Sequence, residues 1–365
     1  MNTYPVPAHD SIMELSAYVG GASSLQGVSK VIKLSSNEGA FGTNPTVVEA
    51  CKKAADKMFR YPDGGSVQLR QTIAEVHGLE ESRIVCGCGS DELIGLLCHA
   101  YLNDGDEVIV TQYAFLMYRL YALGCGAVPV TVMEKDRRID VDAVLNAVTD
   151  KTKIVFITNP GNPTGTYLNV REIDRLCRGL PSNVMVVLDS AYAEYVPASD
   201  FNAGETFVGK YPNVVMLRTF SKIYGLGGIR LGWSYASQEI TDVLNRVRGP
   251  FNVNSIAQAV GVAAMKDRDF VKKSFEHNLK WQTVFQRELP RLGLTVTPSV
   301  TNFILADFPT EGEKTAKRAD EFLRSKGIIV RAVNSYGFPN SLRMTIGNDE
   351  ESEALLSALK EFMAG

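Results

Sequence analysis

Short apolar runs recur along this chain without the apolar–polar alternation of a half-exposed strand. They are RIVCGC (83–88), KIVFIT (153–158), VMVVLD (184–189) and VVMLRTF (214–220), with EVIVTQ (107–112) and AVPVTV (127–132) as further strands. A continuous run must be covered on both faces, which is the signature of a sheet buried between helices. Helical patterns lie between the runs: TVVEACKKAADKM, DELIGLLCHAYL (91–102) and REIDRLCRGL. Strand and helix in alternation predict an α/β fold whose large domain holds a mostly parallel, mixed sheet sandwiched by helices. A longer helical region follows at about 254–290, then NFILADF, a helix near 315–326, GIIVRAV, SLRMTIG and a terminal helix. This last part reads as a smaller α+β domain. The expected division is residues 1–40 as an N-terminal arm and part of the small domain, 41–265 as the large domain and 266–365 as the small one.

Composition narrows the function. Of 365 residues, 45% are hydrophobic and 22% charged, which is globular and not disordered. A formal net charge of -3 argues against binding nucleic acid through general electrostatics. The six cysteines are scattered without a CxxC pair and read as reduced thiols of a cytoplasmic protein. The four histidines lack metal-ligand spacing and no HExxH occurs, so no metal site is expected. The start, MNTYPVPAHDSIMEL, lacks the basic and apolar regions of a signal peptide. No stretch approaches the roughly 18 apolar residues of a membrane span.

In an open α/β sheet the ligand lies beyond the carboxyl ends of the strands. After RIVCGC come Gly89, Ser90 and Asp91, opening a helix whose free N–H groups suit an anion or simply an ordinary cap. Gly87-x-Gly89 lacks the third glycine of a dinucleotide fingerprint, and no GxxxxGK[ST] occurs. After KIVFIT, Asn159-Pro160-Gly161-Asn162-Pro163-Thr164-Gly165 fixes an unusual turn, from which Asn162 can aim an amide at a ligand. Asp189 ends a strand, with Tyr192 just beyond. A carboxylate there caps a helix, binds a metal or partners a protonated heterocycle. Lys222 follows a buried strand in Arg218-Thr219-Phe220-Ser221-Lys222, with Arg230 nearby. It is either structural or a nucleophilic amine, with Thr219, Ser221 and Arg230 suited to a phosphate. One ligand meets all four demands. Pyridoxal 5'-phosphate has an aldehyde for Lys222, a ring nitrogen for Asp189, a phenolic oxygen for Asn162 and a phosphate.

NPGNPTG, LDSAY and TFSKIYGLGGIRLGW, in this order, resemble the signature of the fold-type-I, class I/II aminotransferase family, over about residues 10–360. Within the family, LSSNEGAFG (34–42), RYPDGGSVQLR (60–70), GSDELI (89–94), QYAFLMY (112–118) and SLRMTIGNDEE (341–351) are most similar to the branch acting on histidinol phosphate. The resemblance implies a role for each matching position. Lys222 would bind the cofactor covalently and carry the proton, and Asp189 would keep the ring nitrogen protonated. Asn162 and Tyr192 would bond the phenolic oxygen, and Tyr113 would stack on the ring. Ser90, Asp91, Ser221 and Arg230, supported by Thr219, would surround the phosphate. Tyr61 would reach the partner subunit's phosphate, making a homodimer with shared sites. Tyr18, Asn37, Arg331 and Arg343 would face the substrate. Two departures touch the substrate end: Asn37-Glu38-Gly39-Ala40 stands where the family commonly has Asn-Glu-Asn-Pro, and Ala17-Tyr18-Val19 lacks the usual adjacent proline.

The implied reaction is transamination between L-histidinol phosphate and 2-oxoglutarate, giving imidazole acetol phosphate and L-glutamate in histidine biosynthesis. The alternative is an aromatic aminotransferase acting on Phe and Tyr, alone or as a second specificity. A decarboxylase of the same fold would share Lys222 and Asp189. A transcription regulator on this fold would need a helix-turn-helix, and no basic recognition helix precedes the core.

Overall fold

The structure, a computed structural model, describes residues 10–13, 20, 22–25 and 31–365. Thirteen strands are assigned among them. The first, β1 (Ile32–Lys33), stands apart. Then come β2 (Ile84–Gly87), β3 (Glu107–Thr111), β4 (Val128–Val132), β5 (Thr152–Thr158), β6 (Met185–Asp189), β7 (Val214–Thr219) and β8 (Gly232–Tyr235). These seven form one sheet in the order β2-β8-β7-β6-β5-β3-β4. It is parallel except that β8 runs antiparallel to both its neighbours. The reason is the connection. A parallel return needs a crossover, usually a helix, and residues 220–231 contain none. That helix-free link carries Lys222.

The continuous apolar runs find their cause in the two faces of this sheet. Ile109, Val155, Ile157, Val186, Leu188, Val214 and Met216 lie in one buried cluster. Their chain neighbours Val108, Val110, Ile154, Phe156, Val187, Val215 and Leu217 lie in another. Side chains alternate across a strand, so a sheet covered on both faces needs apolar residues at every position.

Past this sheet, β9 (Thr295–Thr297), β10 (Phe303–Asp307), β11 (Ile328–Ile329), β12 (Arg331–Val333) and β13 (Phe338–Thr345) complete the strands. Four of them make an antiparallel sheet, β12-β13-β10-β9, while β11 pairs in parallel with β1. The run GIIVRAV, read as one strand, is therefore divided between two sheets at Val330. The helical region expected over 254–290 is also two pieces, Ser255–Lys266 and Arg268–Arg291. Asp267 separates them because its side chain accepts from the Phe270 N–H and so starts a new helix. The second helix serves both cores. Val271 and Phe275 pack with the large sheet, and Trp281, Phe285 and Leu289 pack with the small one. Leu34 also joins the small core.

Among the described residues no helix is long and apolar enough to cross a membrane, and no group of His, Cys, Asp and Glu is placed to hold a metal. The cysteines of the chain are free.

Candidate active site

β2, β5, β6 and β7 point their carboxyl ends to one edge of the large sheet, and each delivers a residue singled out above. Asp189 is the last residue of β6 and is buried. The Tyr118 hydroxyl donates to its Oδ2 at 2.6 Å. Its Oδ1 is buried with no partner among the described residues. An unsatisfied buried acceptor costs about 1–3 kcal/mol. Burial raises the carboxyl pKa, while Tyr118 and the Ala191 N–H oppose the shift. This oxygen lacks a donor, and a positively charged N–H would both supply one and offset the cost of burying the carboxylate. Neither a helix cap nor a metal cluster accounts for it.

Lys222 is half-buried, its Nζ 3.4 Å from the Ser36 carbonyl and 5.6 Å from the centre of the Tyr192 ring. Burial lowers its pKa to about 8, with Arg343 and Arg230 adding to the effect and Glu38 and Asp189 opposing it. A neutral amine is therefore accessible near physiological pH. The unfolded chain, with an ordinary value of 10.5, holds more protons between about 8 and 10.5. Stability from this group hence rises with pH across that window, and the cost of burying the charge is fully present below it. In cofactor-free protein, labelling of Lys222 by an amine acylating reagent, followed by peptide mass spectrometry, is expected to titrate with a midpoint near 8; a midpoint near 10.5 would contradict the buried setting.

Tyr192 is buried. Its hydroxyl accepts from Asn37 Nδ2 at 2.9 Å, and its ring meets Phe303 edge-on. Asn37 has a positive φ of 56° and a fully engaged side chain, since Thr345 Oγ1 donates to its Oδ1 at 3.2 Å. Backbone held in this region by a non-glycine residue is characteristic of functional sites. Asn37 thus braces Tyr192. Asn162 accepts on Oδ1 from Arg343 at 2.6 Å, which leaves the amide nitrogen as the end that would donate to a ligand oxygen. Arg343 also donates to the Ser35 carbonyl at 2.8 Å and lies over the Phe303 ring. Arg331 is its direct partner across the β12–β13 register.

The anion cradle lies beside Lys222. The helix Ser90–Tyr101 begins against β8, so closely that a Cβ on Gly232 would sit 2.3 Å from the Ser90 nitrogen. A Cβ on Gly89, where φ is +85°, would sit 2.5 Å from Arg230 Nη2. Both glycines are thus required by the close approach of a helix start and a guanidinium. Arg230, itself at φ 58°, donates to Ser221 Oγ at 3.3 Å and to the Gly227 carbonyl at 3.0 Å. Thr219 Oγ1 donates to Ser221 Oγ at 3.0 Å. Asp91 turns its carboxylate to the Tyr121 hydroxyl at 2.9 Å, so its contribution at the helix start is a backbone N–H. These donors match a phosphate.

Tyr113 lines a cavity together with Asn162 and Thr158, whereas Tyr61 stands at the surface. Tyr113 rests 4.1 Å from the Phe338 ring, tilted by 34°. Tyr61 is 83% exposed and stacks on Phe251 at 4.7 Å. Tyr18 lies outside the described residues. Sequence reasoning missed Tyr118, the carbonyls of Ser35 and Ser36, and Thr345. They lie within QYAFLMY, LSSNEGAFG and SLRMTIGNDEE, but their roles come from contacts between distant segments, which those motifs do not show.

Comparison with known proteins agrees with this geometry. Residues 29–359 match the family model for aminotransferase class I and II. The chain is 51% identical, over 99% of both chains, to the histidinol-phosphate aminotransferase of Paramagnetospirillum magneticum. It is 53% identical to that of Rhodospirillum rubrum, over 97% of this chain and 96% of the other. The crystal structure of histidinol-phosphate aminotransferase from Sinorhizobium meliloti in complex with pyridoxal-5'-phosphate superposes with a TM-score of 0.87, at 26% identity and 99% coverage of each chain. With a lysine, a buried carboxylate and an anion cradle gathered at the sheet edge, and a family match across nearly its whole length, the chain belongs to the class I and II aminotransferases.

Proposed function

We propose that this enzyme binds pyridoxal 5'-phosphate and transfers an amino group between L-histidinol phosphate and 2-oxoglutarate, giving imidazole acetol phosphate and L-glutamate in histidine biosynthesis. The observation that carries the reading is the pairing of Lys222, an amine depressed to about 8, with Asp189, whose buried Oδ1 has no partner. The near-full-length relatives named for this reaction supply the substrate.

When bound, the cofactor supplies an electron-withdrawing ring that stabilises negative charge at the substrate α-carbon. Asp189 Oδ1 would accept the ring N–H and keep it charged. Tyr192 and Asn162 would hold the phenolic oxygen, and Tyr113 would cover the ring. Ser90, Asp91, Thr219, Ser221 and Arg230 would hold the phosphate. Lys222 Nζ would take the proton from the substrate α-carbon and deliver it to the former aldehyde carbon of the cofactor, on the far side of the shared nitrogen. Arg343 and Arg331, with Asn37 and, by resemblance, Tyr18, would receive the substrate anion. An arginine fork fits a phosphate in one half-reaction and a carboxylate in the other.

The reading includes a homodimer in the cytoplasm. Met58, Phe59, Tyr61 and Phe251 are exposed together, and the groove they border continues to Gly228 and Ile229, next to Arg230. An exposed apolar patch of this kind marks an interaction site. A second copy there would bring its Tyr61 toward the phosphate cradle. We also keep the domain division at 40/41 and 265/266 within this proposal.

The test is a half-reaction titration. The cofactor-loaded enzyme is mixed with L-histidinol phosphate, L-phenylalanine or L-tyrosine, and conversion of the cofactor to its amine form is followed by absorbance. The expected rate over dissociation constant favours histidinol phosphate by about 300-fold, equivalent to ~3–4 kcal/mol of transition-state binding. Equal values would make the enzyme an aromatic aminotransferase as well. No conversion with any of the three would overturn the reading.

A further inference from the structure

Behind the site lies a cluster of buried charges. Arg218 on β7 is 4% exposed at its side chain. It donates Nη2 to Glu194 at 2.7 Å and Nη1 to Glu205 at 3.1 Å, and its guanidinium lies 5.5 Å from the centre of the Trp233 ring. Glu194 sits in a one-turn helix, Ala193–Tyr195, immediately after Tyr192, and its side chain is 11% exposed. Its carboxylate also faces the Tyr224 hydroxyl, whose ionisation it opposes.

The positions of these partners matter more than their charge. Arg218 precedes Lys222 by one strand's end, and Tyr224 follows it within the same loop. One carboxylate therefore bonds the strand that leads into the Lys222 loop and lies close enough to Tyr224, within that loop, to oppose its ionisation. That carboxylate rides on the segment that carries Asp189 and Tyr192. Glu205 touches the same guanidinium from the separate helix Glu205–Lys210 and has no such position. Replacing a buried ion pair by apolar groups is often neutral for stability, so stability alone does not call for this cluster.

We propose that Glu194 is a positioning residue, which clamps the Lys222 loop to the Asp189–Tyr192 segment and so sets the lysine amine against the cofactor. The inference rests on the cofactor reading given above. A lysine displaced by about 1 Å costs on the order of 100-fold in rate.

The design of the test follows from the charges. Two carboxylates share one guanidinium, so E194Q and E205Q each leave a balanced ion pair. Both remove one charge from the cluster; E194Q alone also turns the charge-assisted hydrogen bond that ties Arg218 to the Asp189–Tyr192 segment into a weaker neutral one. The three holoenzymes are compared by kcat, KM, the visible spectrum of the bound cofactor and the dissociation constant of pyridoxal phosphate. E194Q is expected to lower kcat by ~10–100-fold with KM within about twofold, to change the cofactor band and to weaken cofactor binding. E205Q is expected to keep kcat within about twofold of the parent. Equal losses in the two variants, or an E194Q enzyme with the parental kcat and spectrum, would overturn the proposal. Should E194Q fail to fold, Y224F removes only the hydroxyl facing Glu194. It is expected to lower kcat and alter the band to a smaller degree, and parental values would overturn the proposal. A parent enzyme that binds no pyridoxal phosphate would overturn the functional reading itself, and the clamp with it.

Discussion

Lys222→Ala is expected to lower turnover by ~10^4-fold or more and to remove the visible absorbance of the loaded enzyme. Two jobs end with one side chain. The amine no longer bonds the cofactor aldehyde, and no base remains at the α-carbon. The neighbours cannot substitute. The Ser36 carbonyl, at 3.4 Å from Nζ, cannot carry a proton between carbon atoms, and Tyr192 is committed to Asn37. The phosphate cradle is untouched, so the variant should still bind the cofactor, without the covalent link. Steady-state rate, absorbance and equilibrium dialysis check the three parts. A rate within tenfold of the parent would refute the assignment of the base.

Asp189→Asn carries the second largest effect, and its sign differs between rate and stability. Burial raises the Asp189 pKa above its ordinary value of 3.8. The folded protein then binds more protons than the unfolded chain over the window above 3.8. This group's contribution to stability therefore falls as pH rises through the window, and at neutral pH the ionised carboxylate costs stability in the cofactor-free protein. Asparagine keeps an acceptor for the Tyr118 hydroxyl and removes the charge. Cofactor-free Asp189→Asn is thus expected to melt at or above the parental temperature, while the loaded variant loses ~10^2–10^3-fold in kcat, because the ring nitrogen is no longer held as a cation. Calorimetry of the cofactor-free protein and kinetics of the loaded one test both halves. A variant that keeps its rate would show that Oδ1 has no cationic partner.

What could be read before any coordinates was the part of the fold written in local pattern. VMVVLD and VVMLRTF predict buried strands because each residue in turn must face one of two apolar layers. Asp189 and Lys222 stand out because they follow those runs, although the runs alone leave a cap and a structural lysine as readings; the pattern becomes specific only with the neighbouring Asn162, Ser221 and Arg230. The antiparallel return through β8 was not legible. Its direction depends on the absence of a helix over residues 220–231, and GWSY resembles no continuous apolar run. The partition of GIIVRAV was hidden for a related reason: Ile328 and Ile329 are claimed by β1, from the far end of the chain. The bond from Tyr118 to Asp189 and that from Arg343 to Asn162 join residues with no common motif. They exist only once the sheets have been assembled.

The helix shared by both cores bears on the order in which the chain can fold during synthesis. Val271 and Phe303 are buried in the larger core although the last strand of its sheet ends at Tyr235. A nascent chain that has produced all seven strands therefore still lacks apolar groups needed to close that layer. Ile32 and Lys33 have no strand to pair with until Ile328 and Ile329, far later in the chain, appear. Contacts of such long sequence separation form slowly. The segment that leads to Asn37 is thus completed only after Ile329 has been made, and whatever Asn37 contributes to the site waits for that pairing.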